Sequence, residues 1–145
     1  MNIHKQFSQK RRGRMGFWIF MFIMEIVQPL TFIGFGYWFI KSPPAQINGI
    51  FGYRTKMSMK NIETWHFAHR YCGRQWIRTG WITMAVSVSV MLLLIGQNED
   101  RIGAVGGTVV FIQIALLAIF PVLRTERELR RQFHTDGSWK GQQNL

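Results

Sequence analysis

The chain has 145 residues, a net charge of +11 at pH 7 and a single cysteine, which fits one domain without an intrachain disulfide. In a soluble protein such a basic balance would suggest nucleic-acid binding, but here the cations flank long apolar runs. That arrangement fits the anionic surface of a membrane. It argues against direct nucleic-acid binding and against a large soluble core.

The first predicted element is a membrane span over residues 16–40, preceded by a basic arm over residues 1–15. The apolar run is too long for the core of a signal peptide, and no small-residue cleavage site follows it, so we expect an uncleaved span. At about 1.5 Å per residue it exceeds a hydrocarbon core of about 30 Å, and Pro29 predicts a kink. The arm is expected to be either interfacial or disordered.

Polar side chains interrupt the apolar spans at similar depths. A carboxylate that faces lipid costs about 3 kcal/mol or more, so Glu25 is expected to face the other helices or to be protonated. We predict one buried polar layer, in which Glu25 is a proton or ligand contact or a hydrogen-bonded link between helices. The predicted members of this layer are Glu25, Gln28, Ser87 and Gln113.

Two further spans are predicted over residues 76–96 and 103–123, joined by a tight turn. Gly103 and Gly107 form a GxxxG pair, so we expect these two spans to pack as a close hairpin. The remaining residues, 124–145, form a basic tail. The tail is predicted to begin as a helix, either on the membrane surface or in solvent, and to be disordered over its last ten residues.

A polar, basic and aromatic loop, residues 41–75, separates the first two spans. Gly52 belongs to a turn, and Ser58 and Asn61 are both suitable N-caps. The sequence after these caps predicts an amphipathic helix in the loop that can continue into the second span. Arg54 is suited to bidentate recognition of a phosphate or carboxylate, or to fixing the loop through bonds to backbone carbonyls.

Four candidate metal ligands recur at intervals of three on this helix, namely Glu63, His66, His69 and Cys72. Their spacing matches no closed zinc signature and the row drifts around the helix, so we expect no metal and no cofactor. The chain also shows no glycine-rich phosphate loop, no paired catalytic carboxylates and no Ser–His–Asp order. We therefore expect a protein that is not an enzyme.

The loop resembles the SdpI family of bacterial membrane proteins. The resemblance rests on Gly-Tyr-Arg-Thr at 52–55, Ser58, Asn61, Trp65 and the His69–Arg70 pair. The type member is an immunity protein against a secreted sporulation-delay peptide toxin. The resemblance therefore implies a bundle of membrane helices, toxin resistance and signalling through a membrane-sequestered repressor. We expect the toxin to contact Arg54, Thr55, Asn61, Trp65, His69 and Arg70.

The expected fold is an all-α integral membrane protein with three spans. Seven Lys and Arg residues lie from Lys41 to Arg78 and five follow the third span, against five before the first span and one in the tight turn. The positive-inside rule therefore places the loop and the C-terminus in the cytoplasm of a bacterial cell.

The leading expected function is immunity to, or sensing of, a membrane-active peptide toxin. The expected partners are anionic lipid headgroups, the peptide and a cytoplasmic repressor. One alternative is a small intramembrane transporter or metal-dependent enzyme that uses Glu25 and the histidine–cysteine row. The other is a structural subunit of a membrane complex.

Overall fold

The structure is a computed structural model that describes residues 3–141, with the backbone alone described for residues 3–8 and Lys10. Its described part is all-α, and each of the three helices is long and apolar enough to cross a membrane. Large apolar side chains cover the outer faces of these helices, as expected for contact with lipid. The predicted fold class is therefore confirmed. The helices are α1 (Ile3–Lys41), α2 (Ile62–Leu93) and α3 (Glu99–Gln132).

The predicted amphipathic loop helix is not confirmed as a separate element, because α2 is continuous from Ile62 through the second apolar segment. Asn61 is the N-cap of α2. Its side chain accepts a hydrogen bond from Thr64 N–H at 2.9 Å, and Thr64 Oγ1 accepts one from Asn61 N–H at 3.2 Å. This reciprocal capping box fixes the residue at which the loop ends and α2 begins.

Glycines bring the backbones of α1 and α2 into contact. A Cβ added at Gly73 would lie 2.6 Å from Gly36 O, and one added at Gly36 would lie 2.7 Å from Gly73 O. Further along α2, a Cβ at Gly80 would lie 2.6 Å from the Ile33 side chain. Small residues at such positions allow membrane helices to approach closely, and here they set the α1–α2 interface.

The predicted hairpin contact through Gly103 and Gly107 is wrong. A Cβ added at Gly107 would meet no atom within 4 Å, and Gly103 faces the ring of Phe17 on α1. The tightly packed glycine of α3 is Gly106, where a Cβ would lie 2.9 Å from the Met21 side chain on α1. A GxxxG pair marks one face of a helix, but it does not determine which helix meets that face.

The loop, the first turns of α2 and the end of α3 pack together at one end of the bundle. We call this assembly of residues 42–75 and 124–141 the loop-end layer. It has an apolar and aromatic core, to which the end of α1 also contributes. The buried side chains of this core are Phe39, Tyr53, Met57, Ala68, Cys72, Leu129 and Phe133.

The chain beyond α3 folds back onto the loop. Phe133 and Trp139 form a single β-bridge, and Asn61 Nδ2 donates a hydrogen bond to Gly137 O at 2.7 Å. The prediction of disorder is therefore wrong for residues 136–141, because aromatic packing and this hydrogen bond order them. The ends of the predicted arm and tail, residues 1–2 and 142–145, lie outside the described residues.

Candidate functional site

His69 holds the Gly-Tyr-Arg-Thr segment of the loop on α2. Its ring is fully buried, with Nδ1 2.8 Å from Trp65 O and Nε2 2.9 Å from Tyr53 N. The Tyr53 N–H can only donate, so Nε2 is the unprotonated nitrogen and Nδ1 carries the hydrogen. Both ring nitrogens are occupied, which leaves His69 without a free donor or acceptor for a metal or ligand.

Tyr53 connects the same segment to α3. Its ring is buried, and its hydroxyl donates to Val122 O at 3.0 Å. Burial raises the pKa of the Tyr53 phenol, so the hydroxyl keeps its hydrogen and stays a donor at neutral pH. Tyr53 therefore bonds α2 through its backbone and α3 through its side chain, and it fixes the loop against both helices.

Thr55 and Ser58 shape the turn that follows. Thr55 N–H donates to Ser58 Oγ at 2.9 Å, and Ser58 N–H donates to Thr55 Oγ1 at 3.1 Å. The Ser58 hydroxyl also donates to Tyr53 O at 2.8 Å. Ser58 is thus a turn residue, while Asn61 is the N-cap of α2.

Trp65 fixes the beginning of the loop. Its indole Nε1 donates to Pro44 O at 2.9 Å, and its side chain is 0% exposed. The expectation that Trp65 and His69 contact a toxin directly is corrected by this burial, because both side chains lie beneath the loop. They position the loop and leave its exposed residues to meet a ligand.

Arg54 is the exposed member of the Gly-Tyr-Arg-Thr segment, and it borders an apolar groove of about 400 Å³. Among the described residues no side chain forms an ion pair with its guanidinium, and the predicted alternative of bonds to backbone carbonyls is not seen. The groove lies between the end of α1, the loop and α2. Its lining residues are Thr31, Phe32, Phe35, Phe39, Ile50, Phe51, Gly52, Arg54 and Trp76.

The aromatic wall of this groove was not predicted from the sequence. Ile50 is 92% exposed, and Phe51 packs against Trp38 and Phe39 of α1. The apolar residues beside the turn at Gly52 were the sequence feature from which this wall could have been predicted. Their partners on α1 could not be read from the sequence, because they come from a helix packed alongside the loop.

The other predicted contact residues do not line this groove. Thr55 and Asn61 are half-buried, and Arg70 lines a different pocket of about 470 Å³. Cys72 is buried and Glu63 is exposed. Across the part of the chain that the structure describes, no three His, Cys, Asp or Glu side chains come together to hold a metal.

The predicted polar layer brings together three side chains, Glu25, Ser87 and Gln113, one from each helix and all buried. Gln113 Nε2 donates to Ser87 Oγ and to Thr83 O, the latter at 3.4 Å. Gln28 is half-buried and forms no hydrogen bond with this group. It lies about 60° from Glu25 around α1, at the edge of the buried face and not at its centre.

Comparison with known proteins shows that the loop and the helices to which it is anchored match a single protein family. The profile of the SdpI/YfhL protein family matches residues 45–124, which hold the loop, α2 and most of α3. The chain belongs to the SdpI/YfhL family. The uncharacterized protein YfhL of Bacillus subtilis (strain 168) is 30% identical over 98 residues, covering 66% of this chain and 76% of that protein. No solved structure matches the chain.

The predicted SdpI resemblance is therefore confirmed, and the chain is a multi-pass membrane protein of this family. The resemblance rests on Gly52–Thr55, Ser58, Asn61, Trp65 and the His69–Arg70 pair, all of which fall inside the matched residues. In the structure most of these residues bond to one another or to the helix backbones. In this SdpI/YfhL protein the motif is accordingly an anchor for the loop, with Arg54 and Arg70 as its exposed members.

Asn61→Ala is expected to lower the free energy of unfolding by about 1–2 kcal/mol, because it removes both the N-cap and the bond to Gly137 O. Asn61→Asp is the matched control, since it keeps the capping oxygen and loses only the donor to Gly137. Reversible unfolding in detergent measures the stability, and limited proteolysis reports on residues 133–141. Wild-type stability of the alanine variant would contradict the role assigned to this side chain.

Proposed function

We propose that this SdpI/YfhL protein is a non-enzymatic membrane protein that gives immunity to, or senses, a membrane-active peptide toxin. Family membership supports a role of this kind. The observation that carries the proposal is the Arg54 guanidinium, which no described side chain pairs with, at the edge of an aromatic groove and on a loop anchored to α2 and α3. A cation beside an apolar groove is complementary to an amphipathic peptide that carries a carboxylate.

The groove lies where the end of α1 meets the loop, at the border of the apolar part of the bundle. Aromatic side chains and arginine are both favoured in the headgroup region of a membrane. A peptide inserted in the bilayer reaches this groove by lateral movement, places apolar side chains against Phe35 and Phe51, and pairs its carboxylate with Arg54. Binding there removes the peptide from the lipid before it assembles into a damaging form.

We also propose that the loop-end layer faces the cytoplasm. This end carries twelve of the Lys and Arg residues, seven from Lys41 to Arg78 and five from Arg124 to Lys140. A pocket of about 640 Å³ is lined by Tyr71 and by four arginines and Glu128 of α3, and this mainly cationic lining offers a surface for anionic headgroups or an acidic repressor. Reporter fusions should place Lys140 in the cytoplasm and Gln97 on the outer side, and the reverse assignment would contradict this orientation.

The experiment that tests the function is a resistance assay. The chain is expressed in a sensitive bacterium, which is then challenged with the sporulation-delay toxin and with unrelated membrane-active peptides. Arg54→Ala should reduce protection by about 10- to 150-fold, because a hydrogen bond to a charged group contributes about 1.5–3 kcal/mol. Arg101→Ala, an exposed arginine at the opposite end of the bundle, should protect like wild type.

Two results would count against the proposal in different ways. Full protection by Arg54→Ala at wild-type abundance would exclude the groove as the binding site. Absence of protection by the wild-type chain against every peptide, at verified membrane abundance, would exclude the immunity function.

A further inference from the structure

The centre of the bundle has too few hydrogen-bond donors for its acceptors. Glu25 is 0% exposed, and neither of its carboxyl oxygens has a hydrogen-bond partner. The amide oxygen of Gln113 is also buried without a partner. Buried polar atoms in proteins are almost always hydrogen-bonded, so three unpartnered acceptor oxygens in an apolar bundle require an explanation.

The orientation of the Gln113 amide is fixed by its neighbours. Thr83 O is a backbone carbonyl and can only accept, so the amide group facing it must be the NH₂. That NH₂ also donates to Ser87 Oγ. Gln113 therefore has no donor left. Within the described part of the chain, the Ser87 hydroxyl, which neighbours the Glu25 carboxyl, is the one side-chain donor available to the three oxygens.

No cation compensates for a carboxylate at this position. Among the described residues, Ser87 neighbours Glu25 and is bonded in turn to Gln113, Met91 lies beside the same glycine, Gly106, that makes room for the carboxyl, and none of these side chains is charged. A Cβ added at Gly106 would lie 3.1 Å from Glu25 Oε1. The site is thus a small polar enclosure. It has no positive charge to balance a Glu25 carboxylate, and it has one hydrogen-bond donor too few for its acceptor oxygens.

We propose that Glu25, with Ser87 and Gln113, forms a proton-binding site inside the membrane bundle. A proton on the Glu25 carboxyl neutralises the charge and turns one of the unpartnered acceptor oxygens into an O–H donor. Loss of that proton leaves a carboxylate among three helices with a single hydroxyl donor, which favours movement of α1 away from α2 and α3. The site is independent of the Arg54 groove and holds whether or not the chain binds a peptide.

The test is infrared spectroscopy of the purified full-length chain in lipid nanodiscs at neutral pH. The expected result is a C=O band of a protonated carboxylic acid in wild type and in the exposed-carboxylate control Glu63→Gln, but not in Glu25→Gln. The melting temperature of wild type should fall as the pH rises from about 5 to about 9, since ionisation of Glu25 opposes the packed state. The isosteric Glu25→Gln should lose at least about half of that pH-dependent shift, because its side chain cannot ionise.

Absence of the band in wild type at neutral pH would overturn the proposal. Stabilisation of wild type, but not of Glu25→Gln, by Na⁺ or K⁺ would also overturn it, in favour of a metal-cation site. If Glu25→Gln is not recovered folded, Ser87→Ala decides the question. Ser87→Ala should retain the C=O band at a shifted frequency, because the Glu25 carboxyl loses its hydroxyl neighbour. An unshifted band would belong to another carboxyl group and would overturn the assignment to Glu25.

Discussion

A Gly73→Leu variant is expected to lose about 3 kcal/mol of its free energy of unfolding, together with the docking of α1 on α2. A Cβ at this position would lie 2.6 Å from Gly36 O and 3.2 Å from Phe39 Cβ. The first of these atoms belongs to the backbone of α1, so a change of rotamer cannot relieve the overlap. The two helices must separate, which also opens the core of the loop-end layer around Phe39.

Gly34→Leu is the matched control for this prediction. Gly34 lies in α1, and a Cβ there would meet no atom within 4 Å. Both substitutions increase helix propensity equally, so a difference between them measures the contact of α1 with α2. Thermal unfolding of the two purified variants in detergent gives the comparison. Equal stability of Gly73→Leu and Gly34→Leu would show that the close glycine contact is not required.

Gly52→Ala is expected to cost about 2–4 kcal/mol and to abolish peptide protection. The φ angle of Gly52 is +115°, a conformation that L side chains rarely adopt. A Cβ would also overlap the His69 ring and lie 3.2 Å from Trp65 Cη2. The loop must lift away from α2, which breaks the bond from Tyr53 N–H to His69 Nε2 and displaces Arg54 from the groove.

Gly49→Ala provides the comparison for Gly52→Ala within the same loop. A Cβ at Gly49 would meet no atom within 4 Å, and its φ angle is not positive. This variant should unfold at the wild-type temperature and should protect like wild type. Wild-type stability of Gly52→Ala in the same unfolding assay would contradict the anchoring role of the His69 contact. Loss of protection without loss of stability would instead place Gly52 in the binding surface.

The class of the protein and the position of its motif could be predicted from the amino-acid sequence alone. Three apolar runs of membrane length specify three spanning helices, since lipid leaves a backbone no other way to satisfy its polar groups. Asn61 could be recognised as an N-cap candidate because capping depends on residues within one turn. The Gly-Tyr-Arg-Thr segment and its neighbours were sufficient to indicate the family that the profile match confirms.

The role of each motif residue depends on packing between elements that are far apart in the chain. His69 and Arg54 were equal candidates in the sequence, yet packing buries His69 under the loop and leaves Arg54 exposed at the groove. Likewise Gly106, rather than Gly107, meets α1. The periodicity of a helix identifies the residues that share a face. Which face is buried depends on how three helices and a folded-back C-terminal segment pack together, and those contacts join residues far apart in the chain.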